Sequence, residues 1–508
     1  MSLSGKYLPI MLLLFLPIMT YGQADTSERL VDDELWIDPG LNPGNDYQRV
    51  VVWFDRQLLG SGDSYMKRVA RMKGQAKSES AKQTIALLKI ISNYNFGRVK
   101  TALESQQKAG NVRNIDQHWI INGFSCEVNE DGLKALQEMH DVARIFQKRP
   151  LFIPSGPDRG PEYLSELPVS SFEPSKADSV PWNIAQMRAQ EVWNEYGITG
   201  KNTLNVVHDF GFKLDIPPLA ATLYVNSAEI PGNGIDDDNN GYIDDYHGFN
   251  FDTGDASVNN PFIRRGTIIH GNACAAMISG TFATGTDMVI GIAPESKWAP
   301  VIGSGNIESA VEWALEQGAD TYSMSFSQPN LGEYRSHWRK IMEHGALCGL
   351  VFISGAGNFA AGNGYAPVPV QMRVPEDIPE AVLGVAGVGQ DGNRPVFSSQ
   401  GPVEWNTNHY REGRVNKPDF ATLNFQISCV DLEGNLSNQA SGNSFAGPHM
   451  AGIVSLMLSA NPELWPWEVK DILKTVAKDI GEPGFDFQSG NGFVNAYDAV
   501  TEVLRRMK

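Results

Sequence analysis

Residues Gly442 to Gly452 read GNSFAGPHMAG and place a serine, Ser444, where a glycine-bounded loop turns into a helix. The residues that follow, Met450, Ala451, Ile453, Val454, Leu456 and Met457, are apolar nearly all round, the pattern of a helix buried on every side. Small residues at Gly442, Ala446 and Gly447 let other backbone, or a ligand, come close to Ser444. A hydroxyl at such a helix start feels the positive end of the dipole, and free N–H groups of the first turn can hold a developing oxyanion. Serines at helix starts are also plain N-caps, so this segment needs corroboration elsewhere in the chain.

A serine nucleophile needs a base to take its proton, and the base needs a carboxylate to orient it. Leu204 to Gly211, LNVVHDFG, reads as a short apolar strand ending in an acid and a glycine, which sets Asp209 at a strand's carboxyl edge. Thr267 to Ala276, TIIHGNACAA, sets His270 just before a helix of small residues. Ligands and reacting groups of open α/β sheets gather at such strand ends. Singly, these are a turn aspartate and a helix-start histidine. Together, in the order Asp, His, Ser, they make a candidate triad with Ser444.

From about Pro181 to Val503 the chain resembles the subtilisin-like (subtilase) serine peptidases. VVHDFG (206–211) is similar to the strand bearing that family's catalytic Asp, HGNACAAMISG (270–280) to its His helix, and GNSFAGPHMAG to its Ser helix. ISGAGN (353–358) resembles the strand end whose Asn donates to the oxyanion, while IGIAP (290–294), SMSF (323–326), FSSQGP (397–402) and KPD (417–419) resemble GVAP, NMSLG, FSSRGP and KPD. The resemblance implies a doubly wound, mostly parallel α/β sheet with helices on both faces over residues 181–508, and a serine-type endopeptidase. It implies catalytic roles for Asp209, His270 and Ser444, with Asn358 and the Ser444 backbone N–H as the oxyanion hole. It also places Ser325, Phe326 and Ser327, with Gly355, Ala356 and Gly357, along the substrate. Phe326 and Phe359 then bring aromatic surface near the primary specificity pocket, which points to apolar side chains, and Ser327 in place of the usual Gly narrows it.

Four positions depart from the family pattern: Phe210 after the catalytic Asp, Asn272 and Ala273 after His-Gly, and Asn443 before the nucleophile. None removes a triad member. The Asn443 amide is expected to replace a lost hydroxyl near the oxyanion, and the Phe210 ring to desolvate Asp209. These departures carry the competing function class, a catalytically weak or inactive subtilase-fold module that binds or inhibits.

Cys274 lies one helical turn after His270 and so on its face. Its residue type at that position reads as a small buried hydrophobe, while the resemblance to thiol-bearing family members implies sensitivity to mercurials. Four cysteines in 508 residues are too few for a disulfide scaffold, and at most one pairing, Cys348 with Cys429, is open to the chain.

Residues 231–245, PGNGIDDDNNGYIDD, offer Asp236, Asp238, Asn240 and Asp244 at positions one, three, five and nine of an EF-hand-like loop, with Gly241 at six. The twelfth position is His247 where a bidentate Glu belongs, so the loop is not a complete EF-hand. Calcium as a structural ion is the expectation, Asp245 being an alternative to Asp244; the bland alternative is a solvated surface loop. The family's chemistry requires no cofactor.

Residues 1–22 carry Lys6, an apolar run from Leu8 to Met19 and a small-ended Tyr21-Gly22-Gln23, the pattern of a signal peptide, so a secreted or periplasmic enzyme without a membrane span is expected. A formal net charge of −18 with no basic cluster argues against nucleic acid as a partner. Residues 23–150 alternate strands (49–54, 142–146) with helices (78–91, 130–139) and read as a small α+β domain. The NGFS stretch within it resembles the family's inhibitory, fold-assisting propeptide, and residues 151–180, rich in Pro, Ser and Glu, read as a linker holding the maturation site. The expected partners are protein or peptide substrates and this propeptide, and the enzyme is expected to be a monomer. GNGFVNA (490–496) resembles the family's closing segment, with one last helix and no further sorting domain expected after it.

Overall fold

The computed structural model describes residues 35–508 apart from 45, 150–179, 262, 266–267 and 361–365. The expected signal peptide and all but one residue of the expected linker lie outside the described residues.

The central sheet has seven strands, all parallel, in the order Phe420–Leu423, Val382–Val388, Val351–Gly355, Thr321–Met324, Leu204–His208, Lys297–Ile302, Phe249–Asn250. Its inner strands are short, rich in Val and Ile and buried at every residue, as a sheet covered on both faces requires. Successive residues of Leu204–His208 feed opposite layers. Val207 joins the cluster containing the helices His270–Ser279 and Asn443–Ala460, while Leu204 and Val206 join that of Ile307–Glu316 and Arg335–Leu347. The expected doubly wound α/β architecture is thus the observed one.

Strand order reverses at Leu204–His208: the chain proceeds from there toward one edge and, from Thr321 onward, toward the other. The crevice beyond the carboxyl ends of these two neighbouring strands is where open α/β sheets bind ligands. Asp209 and Ser325 are the first residues beyond those ends.

The front unit is a five-stranded sheet, ordered Trp36–Ile37, Val142–Gln147, Gln48–Phe54, Gly123–Val128, Val112–His118, with the helices Ser64–Met72, Lys77–Lys108 and Glu130–Gln137. Its longest helix runs well past the 78–91 expected from apolar periodicity. Its buried stripe is Ser80, Thr84, Leu88, Ser92, Asn95, Val99 and Leu103; polar residues fill more than half of it, so a reading based on apolar spacing stops early.

One face of the front sheet lies on the helices Ile307–Glu316 and Arg335–Leu347. Val51, Trp53, Ile120 and Phe146 share a single buried apolar cluster with Val311, Trp338, Ile341 and Met342. Polar groups are matched across the seam: Trp53 Nε1 donates to His337 Nδ1 (3.1 Å), and the Lys340 ammonium donates to the carbonyls of Leu59 (2.6 Å) and Gly60 (2.8 Å). The Lys148 ammonium donates to the Glu308 carboxylate (3.1 Å), whose other near neighbour is His337 Nε2 (3.1 Å). Burial alone would raise the Glu308 pKa; Lys148 and His337 outweigh it and hold the carboxyl well below its ordinary range.

Candidate active site

Asp209 follows the buried strand Leu204–His208, and its carboxylate is 0% exposed. His270 opens the helix His270–Ser279, where small residues let that helix pack tightly against the neighbouring Ser444 helix. His270 Nδ1 lies 2.9 and 2.8 Å from the two Asp209 oxygens. An ionised carboxylate only accepts, so the proton sits on Nδ1 and Nε2 keeps its lone pair, able to accept a proton. The Phe210 N–H also donates to Asp209 Oδ1 (2.8 Å). The imidazole is 15% exposed, which leaves it reachable from the cleft.

Ser444 is the second residue of the helix Asn443–Ala460 and is partly exposed. Its hydroxyl donates to the Ser325 carbonyl at 3.3 Å rather than to the imidazole; apo sites often tighten only around substrate. Pro448, four residues on, cannot supply the N–H that the Ser444 carbonyl would accept in a regular helix. Ser325 Oγ (2.8 Å) and the Cys274 thiol (3.5 Å) donate to it instead. Cys274 therefore does more than fill space. It lies within one cluster of donor atoms with Asp209 and His270, and burial pushes its pKa well above the ordinary thiol value, which suits a hydrogen-bonding thiol and not a thiolate.

Asn358 follows the strand Val351–Gly355 and is exposed. Its Oδ1 accepts from the Asn443 N–H (2.8 Å), which ties the exposed amide to the start of the Ser444 helix. Strand and helix meet closely here: a Cβ on Gly355 would lie 1.9 Å from the Asn443 carbonyl oxygen.

The Asn443 side chain is not an oxyanion donor. It is fully buried, donating to Gly357 O (2.5 Å) and Ser398 Oγ (2.9 Å) and accepting from Asn424 Nδ2 (2.8 Å), so every polar atom is already used in the interior. Asn272 is occupied in the same way, because its amide bonds both the N–H and the carbonyl of Lys213 (2.8 Å each) and anchors the loop after Asp209. Ala273 is buried in the core, and the Phe210 ring packs beside Phe326 and His270. Phe326 is buried against His208, Phe210 and Trp338. Ala356 is buried, and Ser327 donates to Glu376 Oε1 (2.6 Å). Gly357 has φ +87° and lies next to that same carboxyl. Glu376 went unnoticed in the sequence, since nothing marks a lone acid in a loop as reaching this edge of the sheet.

All four cysteines are free thiols. Cys348 and Cys429 belong to different apolar clusters, one in each layer, so the disulfide between them is corrected.

In the acidic loop three carboxylates converge, Glu229, Asp238 and Asp245. Of the four residues expected to hold calcium, Asp238 alone belongs to this group. The Asp236 oxygens cap the N–H groups of Asn240 and Gly241, and those of Asp244 cap Asn233 and Gly234. Asn240 donates its amide to Asp238 and Asp245. Glu229 Oε1 accepts from the N–H groups of Asp237 and Asp238, while Oε2 is buried without a hydrogen-bond partner among the described residues. Burial raises the Asp245 pKa, against donors from Trp313, Asn240 and Asn226.

A family model described as the subtilase family matches residues 187–492. Bacillopeptidase F of Bacillus subtilis (strain 168) is 24% identical over 459 residues, covering 84% of this chain and 29% of that protein. A calcium-dependent protease of Trichormus variabilis is 27% identical over 278 residues, covering 46% of this chain and 40% of that protein. Subtilisin E of Bacillus subtilis (strain 168) is 24% identical over 443 residues, 85% of this chain and 94% of that protein. The chain thus spans less than half the length of the first two relatives and nearly all of the third. Among the described residues no helix is long and apolar enough to cross a membrane.

Proposed function

The chain belongs to the subtilase family, whose model matches more than half of its length, and from that premise we propose that it is a secreted serine endopeptidase made as a zymogen. The observation that carries the reading is the Asp209 carboxylate held on His270 Nδ1 at 2.8 Å, at the reversal of strand order, with Ser444 at a helix start on the same crevice.

Ser444 Oγ leaves Ser325, attacks the peptide carbonyl carbon and passes its proton to His270 Nε2. The carbonyl oxygen becomes an oxyanion held by the Asn358 amide and the Ser444 N–H. Asp209 steadies the imidazolium, which hands the proton to the leaving amine; a water then repeats the sequence on the acyl-enzyme. Asp209 is already desolvated and its partner oriented before substrate arrives, so little reorganisation accompanies the charge movement.

The front domain fits the part of an inhibitory and fold-assisting propeptide, because its sheet covers a large apolar face of two helices beside the crevice. A calcium ion fits Glu229, Asp238 and Asp245: three hard oxygen donors converge, one of them a buried oxygen with no other partner among the described residues. Its chemistry would be to neutralise those carboxylates and fix the loop, apart from catalysis. A monomeric enzyme acting on protein or peptide substrates completes the proposal.

The test is fluorophosphonate labelling of the secreted protein beside Ser444→Ala, with mass spectrometry of the labelled peptide and of the mature amino terminus. Label on Ser444 with a new terminus within residues 150–181 supports the proposal. A folded protein that takes up no label, even after proteolytic removal of the front domain, is the inactive binding module instead.

A further inference from the structure

The substrate residue whose carbonyl oxygen lies against Asn358 carries its side chain one bond further on, so it meets whatever flanks Asn358. Phe359 comes next in the chain, and its ring lies 3.0 Å from where a Cβ on Gly357 would sit. The Arg373 guanidinium stacks on that ring, 3.8 Å from its centroid. Arg373 is half-buried, and among the described residues no carboxylate is in ion-pair contact with its guanidinium. Its backbone is fixed: Glu376 Oε1 accepts from the Arg373 N–H (3.0 Å) and from Ser327 Oγ (2.6 Å), joining the Arg373 segment to the one that follows the strand Thr321–Met324. The Glu376 carboxyl is 0% exposed, so it presents no surface to a ligand, and burial pushes its pKa up to about 8, which leaves it largely uncharged at neutral pH. Beside Asn358 there is therefore a planar, stacked cation with no carboxylate in ion-pair contact among the described residues.

Resting on the serine peptidase reading, we infer that Arg373 makes this pocket select an acidic side chain, glutamate or aspartate, on the acyl side of the scissile bond. The ring of Phe359 holds the guanidinium in place and the carboxylate of the substrate takes its free edge, a bidentate geometry that a lysine would not reproduce. The aromatic surface that suggested apolar substrates is thus the underside of a cationic site. Glu376 is a positioning residue that keeps Arg373 and Ser327 in register.

The experiment compares the full-length protein with Arg373→Gln and Arg373→Lys on peptides differing at that single residue: Glu, its neutral isostere Gln, Leu and Lys. The rate of fluorophosphonate labelling at Ser444 serves as a control that needs no such side chain. We expect kcat/KM for Glu to exceed that for Gln by at least about tenfold. Arg373→Gln brings that ratio close to one and Arg373→Lys keeps part of it, each ratio being taken within a single variant so that it does not depend on that variant's overall rate. Fastest cleavage after Leu or Lys, or a Glu-to-Gln ratio that survives Arg373→Gln, overturns the inference while labelling still upholds the peptidase. Absence of label on the wild type, persisting after proteolytic removal of the front domain, overturns both.

Discussion

Pro448 stands one helical turn beyond Ser444 and leaves the Ser444 carbonyl to be held by Ser325 Oγ (2.8 Å) and the Cys274 thiol (3.5 Å). The helix that presents the serine is therefore fastened at that point by side chains from two other elements. One follows the strand Thr321–Met324, and the other lies one turn beyond His270.

Ser325→Ala removes the shorter of those bonds and leaves the carbonyl with a weak donor. An unfolding free energy lower by about 1–3 kcal/mol is expected, together with slower fluorophosphonate labelling. Urea titration and labelling kinetics check the two effects. Unchanged stability would mean that the Ser444 carbonyl finds another donor.

Asn358→Asp keeps an acceptor for the Asn443 N–H and loses the amide proposed as the donor to the oxyanion. Turnover is expected to fall by about 10²–10³ with little change in thermal midpoint. Steady-state kinetics beside calorimetry separate this from unfolding.

Removing calcium by chelation is expected to lower the thermal midpoint, and a bound ion at 100 times its Kd accounts for about 2.7 kcal/mol of stability. Glu229→Gln is expected to abolish the difference between calcium and chelator, while Asp236→Asn, whose carboxylate caps backbone N–H groups, keeps it. Equal midpoints with and without calcium for the wild type would dismiss the site.

The seam of the front domain is expected to weaken as pH falls. Burial lowers the pKa of His337 and His118 below 6.5, and that of His344 to about 3. The unfolded state therefore binds protons more readily, and the stability these groups contribute is present above pH 6.5 and lost progressively below it. Glu308, depressed in the folded state, adds stability above its ordinary 4.5 that is lost only as pH falls through its lower folded value. Lys148→Met, which strands the Glu308 charge, is expected to cost about 3–5 kcal/mol. Thermal midpoints from pH 8 to 4 test both statements.

The sheet and the crevice were legible in the sequence because their strands are continuous apolar runs and their chemical groups sit at run ends flanked by Gly and small residues. Asp209, His270, Ser444 and Asn358 each have that flank. What was hidden depends on long-range closure. Asn443 reads as a donor beside a nucleophile, yet its neighbours Ser398 and Asn424 turn it inward. Glu229 and Asp245 lie at the two ends of the acidic loop, and the fold alone brings them to Asp238. Arg373 looks like any loop arginine until Phe359 is found beneath it.

The buried seam beneath the front domain sets a clock. If residues 150–179 are cut, the front domain does not fall away, because Trp53, Phe146 and the Lys148–Glu308 pair still grip the helices below. If the front domain inhibits as proposed, scission and first activity would be separate events, and the interval between them would be governed by dissociation of the severed domain or its digestion by a molecule already free. Activation would show a lag followed by acceleration, with the lag shrinking as protein concentration rises.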